Sequence, residues 1–110
     1  MSLTGVWVGT DGSTTHITEI VNDTSRTIYW TSSSSIQGSQ FANEFTGYYL
    51  PNAANLGGTG ILIGNWNDVP LPNIGLSNSG TLWISVSQDE NTMDQFGASE
   101  TYGTVRWIRQ

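Results

Sequence analysis

The sequence predicts an all-β protein, a single antiparallel up-and-down (meander) barrel of about eight strands. Three observations carry this expectation. Thirteen glycines and three prolines cut the 110 residues at short intervals. The runs between the cuts are rich in Thr, Ile, Val, Tyr and Trp, side chains that fit a pleated, half-buried surface. No stretch shows the apolar spacing of an amphipathic helix, and the nearest, residues 36–44, is too sparse to hold more than a turn or two. Hairpin-linked strands in an open sheet leave two unpaired edges, and closure into a barrel removes both.

In chain order, strands are expected near residues 4–10, 14–21, 26–32, 41–50, 59–66, 80–87, 92–96 and 103–109. Asp11-Gly12 joins the first two as a type I′ hairpin, in which both central residues take positive φ. Asn22-Asp23 and Ser25 make the second turn, and the Ser32-Ser33-Ser34-Ser35 run reads as a flexible rim or linker. Pro70, Pro72, Asn73, Gly75, Asn78 and Ser79 form the longest loop.

Alternation then assigns the faces. Asn43, Phe45, Gly47 and Tyr49 share one parity with Phe41 and point inward; Leu82, Ile84 and Val86 do the same, which leaves Trp83 on the outer or end-facing side unless a bulge shifts it. Ile28 and Trp30 alternate with Thr27, Tyr29 and Thr31. The 61–66 strand is apolar on both faces, Leu62 and Trp66 on one and Ile61 and Ile63 on the other. Such a strand has something packed outside it, and a homo-oligomer interface is the simple candidate.

Composition bounds the function. A chain of this length is one domain, residues 1–110, able to bury about two thirds of its unfolded surface without staples. The absence of cysteine excludes disulfides, thiol catalysis, cysteine-bound zinc and iron–sulfur clusters. Three positive residues, Arg26, Arg106 and Arg109, against nine acids give a net charge of -6, so nucleic acid and anionic membranes are not expected partners. Five tryptophans exclude a solvated tail. No apolar run reaches the ~20 residues of a membrane-spanning helix, and no secretory signal pattern opens the chain, so its compartment stays unassigned.

Candidate catalytic groups are few. His16, with Glu19 nearby and many serines, lacks the strained turn that holds a nucleophile, and a surface strand histidine is the simpler reading. Asp89, Glu90 and Asp94 crowd a loop without the alternation or central glycine of a calcium loop, so no metal is expected. Asp68 and Glu44 lie near candidate pocket aromatics and read as solvated acids rather than a glycosidase pair. Asn22-Asp23-Thr24 matches a glycosylation sequon, a short pattern that carries weight only in a secretory context. The protein is therefore not expected to be an enzyme, and no cofactor is expected.

Leu3-Thr4-Gly5-Val6-Trp7, Asp11-Gly12-Ser13 and the Ile17-Thr18 strand resemble the opening of the avidin family, and Gly5-Val6-Trp7 resembles the start of the wider calycin group that includes the lipocalins. The chain is also similar, over nearly its whole length, to a group of small, largely uncharacterised bacterial domains. That similarity rests on Asp11-Gly12-Ser13-Thr14, Ile28-Tyr29-Trp30, Gly64-Asn65-Trp66-Asn67-Asp68-Val69-Pro70, Ser79-Gly80-Thr81-Leu82 and Gly103-Thr104-Val105-Arg106-Trp107. The resemblance implies that Trp7 plugs the closed end of the barrel beneath an arginine of the last strand, Arg106 or Arg109. It also implies a ligand set: Ser13, Tyr29 and Thr31 as hydroxyl contacts, Trp66 and Trp83 as walls. Gly9 stands where the avidin family has an asparagine, no acidic partner is identifiable near the penultimate strand, and the loop carrying a subunit-crossing tryptophan is missing. Biotin is therefore not the expected ligand.

The sequence thus leads to non-catalytic binding of a small, mostly apolar ligand at the barrel mouth, through Ser13, Tyr29, Thr31, Trp66 and Trp83. Two alternatives stand beside it. One is a carbohydrate-binding module using Trp83 or Trp66 with Asn65 and Asn67; the other is a structural or interaction domain whose interior is filled by side chains.

Overall fold

The computed structural model describes residues 2–23, 25–34, 41–51, 60–69 and 78–110. Eight strands follow one another around a closed barrel: β1 (Gly5–Gly9), β2 (Thr14–Asn22), β3 (Ser25–Ser34), β4 (Phe41–Leu50), β5 (Gly60–Asp68), β6 (Ser79–Val86), β7 (Thr92–Ala98) and β8 (Arg106–Arg109). Every neighbour pairs antiparallel, and β8 returns to β1 through Trp7↔Arg109, Val8↔Ile108 and Gly9↔Trp107. The described residues include no helix. The meander barrel is the one expected, and its architecture is compatible with a calycin-like fold. Residues 36–40, Ser35, Thr24, Thr59 and the loop from Pro70 to Gly75 lie outside the described residues.

The turn chemistry differs from expectation at Asp11-Gly12. Only Gly12 takes positive φ, at 84°. Gly12 N–H donates to the Gly9 carbonyl and Gly9 N–H to the Ser13 carbonyl, at 3.0 and 2.9 Å. The connection is therefore a tight turn closed by a left-handed glycine, not a two-residue type I′ loop. The Asp11 carboxylate explains the choice, because one oxygen accepts from both the Ser13 backbone N–H and its hydroxyl. The second turn has Asp23 at φ 55°, with the Ser25 hydroxyl donating to the Asn22 carbonyl.

Two other boundaries moved for a physical reason. β7 runs to Ala98 through a bulge: Trp83 faces Gly97 while Ile84 faces Gln95, which leaves Phe96 as the extra residue, exposed on the outside. β8 begins at Arg106 rather than Gly103. Gln95 reaches across with its side-chain amide to the carbonyls of Tyr102 and Thr104 and with its backbone N–H to the Val105 carbonyl, and Tyr102 and Thr104 turn inward before the regular ladder begins.

Inward positions alternate as period-two arithmetic requires. Ile28, Trp30, Phe45, Tyr49, Leu62, Trp66, Leu82, Ile84, Val86, Met93 and Trp107 are all buried, while Trp83 is half-buried on the outer face. The interior is packed with rings. Trp30 stacks on Phe45 at 4.1 Å and 18°, Trp107 tilts against Trp30 at 5.6 Å, and Tyr102 meets the edge of Trp66 at 5.0 Å. Phe45 fits because Gly47 and Gly64 face each other across β4 and β5; a methyl at Gly64 would collide with the Thr46 carbonyl and the Phe45 ring. Outside, one register row places Ile20, Thr27, Tyr48, Ile63 and Trp83 side by side, with Tyr48 and Ile20 exposed.

Candidate functional site

Topology gives the barrel two different ends. One holds the N-terminal segment, the β2–β3 turn and the β6–β7 turn; the other, the mouth, holds the β1–β2 turn and the 99–105 connection.

The first end is closed by ions and rings. The Arg109 guanidinium lies 4.6 Å over the Trp7 ring and donates to the carbonyls of Thr4, Ser2 and Glu90, while the Trp7 indole N–H donates to Leu3 O. This arginine, not Arg106, fills the role expected at the barrel end. Arg106 is exposed and pairs with Asp94 at 2.6 Å on the outer surface. At the same end of the barrel, Arg26 forks onto both oxygens of Glu19 at 2.9 Å and covers the Tyr49 ring at 4.4 Å. The Tyr49 hydroxyl donates to Glu90, whose other carboxylate oxygen is buried without a partner among the described residues.

Burial, followed by the Glu90 charge, pushes the Tyr49 phenol up to about 12; burial also raises the Tyr102 phenol. A raised phenol binds more protons in the folded state than in the unfolded one, so the stability it contributes is fully present below about pH 10, the unfolded value. It is lost as pH rises from there toward the folded value. Denaturant midpoints are expected to fall steeply above about pH 10, and Tyr49→Phe should flatten part of that fall. An unchanged slope in the variant would remove Tyr49 from the explanation.

At the mouth, Asn43 is the organising residue. Its side-chain oxygen accepts from the Trp30 indole N–H at 3.2 Å and from the Tyr102 hydroxyl at 3.0 Å, all three residues being buried. Tyr102 thus crosses from the β7–β8 connection to β4 and seals the aromatic interior from above. Over this seal sits a cavity of about 150 Å³, bordered by Asn43, Trp66, Asp68, Asn78, Tyr102 and Thr104. Asp68 and Asn78 are tied together by the Asn78 N–H to the carboxylate and the Asp68 N–H to the Asn78 carbonyl. The Trp66 indole N–H, set against Gly80, is buried and finds no acceptor among the described residues.

The structure does not gather the five expected ligand residues at one place. Trp66 points inward and borders the mouth cavity. Ser13 is fully buried, but its hydroxyl is engaged by Asp11 at 2.6 Å and by Thr104 at 3.2 Å. A side chain at Gly9 would strike that same Asp11–Ser13–Thr104 cluster, which accounts for the glycine there. Tyr29 and Thr31 project from the outer wall of β3, and Trp83 from the outer wall of β6. Asn65 and Asn67 are exposed on the outside of β5, Asn65 accepting from the Thr81 hydroxyl.

The acids considered for metal binding are separately engaged. Asp89 accepts from the Ser87 hydroxyl and the Asn91 N–H within its turn, which lowers its pKa; Glu90 faces Tyr49, and Asp94 faces Arg106. His16 is exposed on the outer face of β2, whereas Glu19 lies with Arg26 at the closed end. Tyr102, Asn78 and Thr104 are the mouth residues that sequence reasoning missed. The usable signal was Asn43, a polar residue at an inward position, because a buried amide demands partners. No protein-family model, curated protein or solved structure matches this chain.

Proposed function

We propose that this chain is a non-catalytic binding protein, a calycin-type relative whose ligand sits in the mouth over Tyr102 rather than inside the barrel. The observation that supports this reading is the mouth cavity itself. Its volume, about 150 Å³, equals that of a cavity able to hold one benzene-sized ring. Its border differs from an apolar pocket. Trp66 and Tyr102 offer aromatic surface, while Asn43, Asp68, Asn78 and Thr104 offer amide, carboxylate and hydroxyl groups. The ligand that fits is a single ring carrying hydrogen-bonding groups, more polar than the sequence alone suggested. Inside, the space a larger ligand would need is occupied by Trp30, Phe45, Tyr102 and Trp107.

The test is a nitrogen–proton NMR titration with single-ring probes: glucose, N-acetylglucosamine, nicotinamide and 2-imidazolidinone, each at millimolar concentration. At least one is expected to shift the amides of Asp68, Asn78 and Thr104 and the Trp66 indole signal, with the response weakened in Asp68→Asn. Shifts from none of the four at these positions would overturn the reading.

A further inference from the structure

The outer wall of β2, β3 and β4 carries a second concavity, with a volume of about 340 Å³, which the mouth reading does not use. Two register rows build it. His16, Thr31 and Glu44 stand abreast in one; Thr18, Tyr29 and Thr46 stand abreast in the next. Neighbouring strands lie about 4.8 Å apart and successive outward residues about 6.6 Å apart, so the six side chains tile a patch of about 10 by 7 Å. Tyr29, 43% exposed, is at the centre of its row with a threonine hydroxyl on each side. The imidazole of His16 and the carboxylate of Glu44 flank Thr31 in the other row.

None of the other five side chains, His16, Thr18, Thr31, Glu44 and Thr46, makes a hydrogen bond to another described group. Nearby, Asn65 and Thr81 bond to each other, and Ser13, Thr15 and Ser32 all bond within the barrel. The groove therefore presents an aromatic face surrounded by five groups whose hydrogen-bonding capacity is open to a ligand.

The occupant can be chosen by exclusion. An anionic ligand is disfavoured by a net charge of -6 and by arginines committed elsewhere: Arg26 to Glu19, Arg106 to Asp94 and Arg109 to the Trp7 end. A peptide adding as a strand would need a free sheet edge, and the barrel is closed. A protein partner would centre on the next row, where Tyr48 and Ile20 are exposed as apolar anchors, whereas the groove itself has one exposed ring among hydroxyls. A neutral molecule with an apolar face and a rim of hydroxyls meets every group present. The C–H face lies on Tyr29, and the hydroxyls donate to Glu44 or exchange hydrogen bonds with the threonines and His16. Tyr48, 62% exposed, stands on the adjacent strand one register step from Tyr29, within reach of a second ring.

We infer that the β2–β3–β4 groove is a binding site for a neutral oligosaccharide, with Tyr29 as the stacking platform. This site is separate from the mouth, since its side chains leave the opposite face of the wall.

Nitrogen–proton NMR of the whole chain, titrated with cellotriose, maltotriose and chitotriose, tests it. At least one trisaccharide is expected to shift the amides of Thr18, Tyr29, Thr31 and Glu44 in a saturable way. Tyr29→Ala should weaken that affinity by about tenfold, equivalent to about 1.4 kcal/mol, and Tyr29→Phe should preserve it. Because Tyr29 is exposed, the alanine variant should fold, and the same spectra verify this. Absence of shifts at these positions with all three sugars overturns the inference. So does binding that survives Tyr29→Ala unchanged. Shifts confined to Asp68, Asn78 and Thr104 would place the sugar at the mouth, overturning the groove while supporting the proposed function.

Discussion

Trp30→Ala is expected to destabilise the protein by about 3–5 kcal/mol, the range for deleting a large aromatic side chain from a close-packed core. Against a total of about 5–15 kcal/mol for a small domain, that leaves little folded margin. Trp30 is 2% exposed. It stacks on Phe45, tilts against Trp107 and Tyr102, and donates its indole N–H to Asn43. Its loss opens a cavity that the rigid wall cannot collapse to fill, because Phe45 is held by the Gly47–Gly64 pair. Trp30→Phe separates the two contributions: a ring remains against Phe45, but Asn43 keeps only the Tyr102 hydroxyl. That variant should lose about 1–2 kcal/mol. Trp83→Ala, on the outer face, should lose less than Trp30→Ala despite removing the same atoms. Thermal and urea unfolding followed by circular dichroism would measure all three. A Trp30→Ala loss below about 1 kcal/mol, the average for any point mutant, would show that the ring stack is not the core.

The same face arithmetic decided most of what was legible beforehand. Strand periodicity is two, so a segment that alternates cleanly reveals its inner side without knowledge of its neighbours. Asn43-Phe45-Gly47-Tyr49 and Leu82-Ile84-Val86 were legible for this reason, and the same parity put Trp83 on the outer or end-facing side, at odds with its place as a pocket wall in the ligand set. The ligand set was not legible, because it came from counting along a family motif rather than from parity. Tyr29 and Thr31 have the parity of Thr27 and oppose Ile28 and Trp30, so alternation already placed them on the outer wall. A shift of one residue between two proteins turns every side chain to the other face. Tyr102 was hidden for a different reason: the connection between β7 and β8 has no period, and only the tertiary contact with Asn43 fixes where its ring goes. The Gly47–Gly64 pair was invisible as well, since its role depends on two strands meeting in one register.

Arg109→Ala is expected to lower stability by about 3 kcal/mol, whereas Arg106→Ala should leave the unfolding midpoint within error of the parent. The two arginines are three residues apart, which in a strand places them on opposite faces. Arg109 shares the parity of the buried Trp107; Arg106 does not. The consequence is visible in their partners. Arg106 meets one exposed carboxylate, an ion pair whose Coulomb gain is diluted by water and by the entropy of two long side chains. Arg109 ties β8 to two other pieces of chain, the N-terminal stretch and the β6–β7 turn, with its fork donating to Ser2 O, Thr4 O and Glu90 O while its plane covers Trp7. Glu90 takes a left-handed backbone at φ 59°, and its carbonyl accepts twice from Arg109, at 3.0 and 2.8 Å. Removing the guanidinium frees the N-terminal segment from the β6–β7 turn and exposes the Trp7 ring together. Arg109→Lys keeps the charge but supplies a compact ammonium in place of a planar fork, so it should recover less than half of the loss. Melting temperatures of the three variants rank the contributions. If Arg106→Ala cost as much as Arg109→Ala, the closed end would not be held by the contacts described, and the surface pair with Asp94 would carry the stability instead.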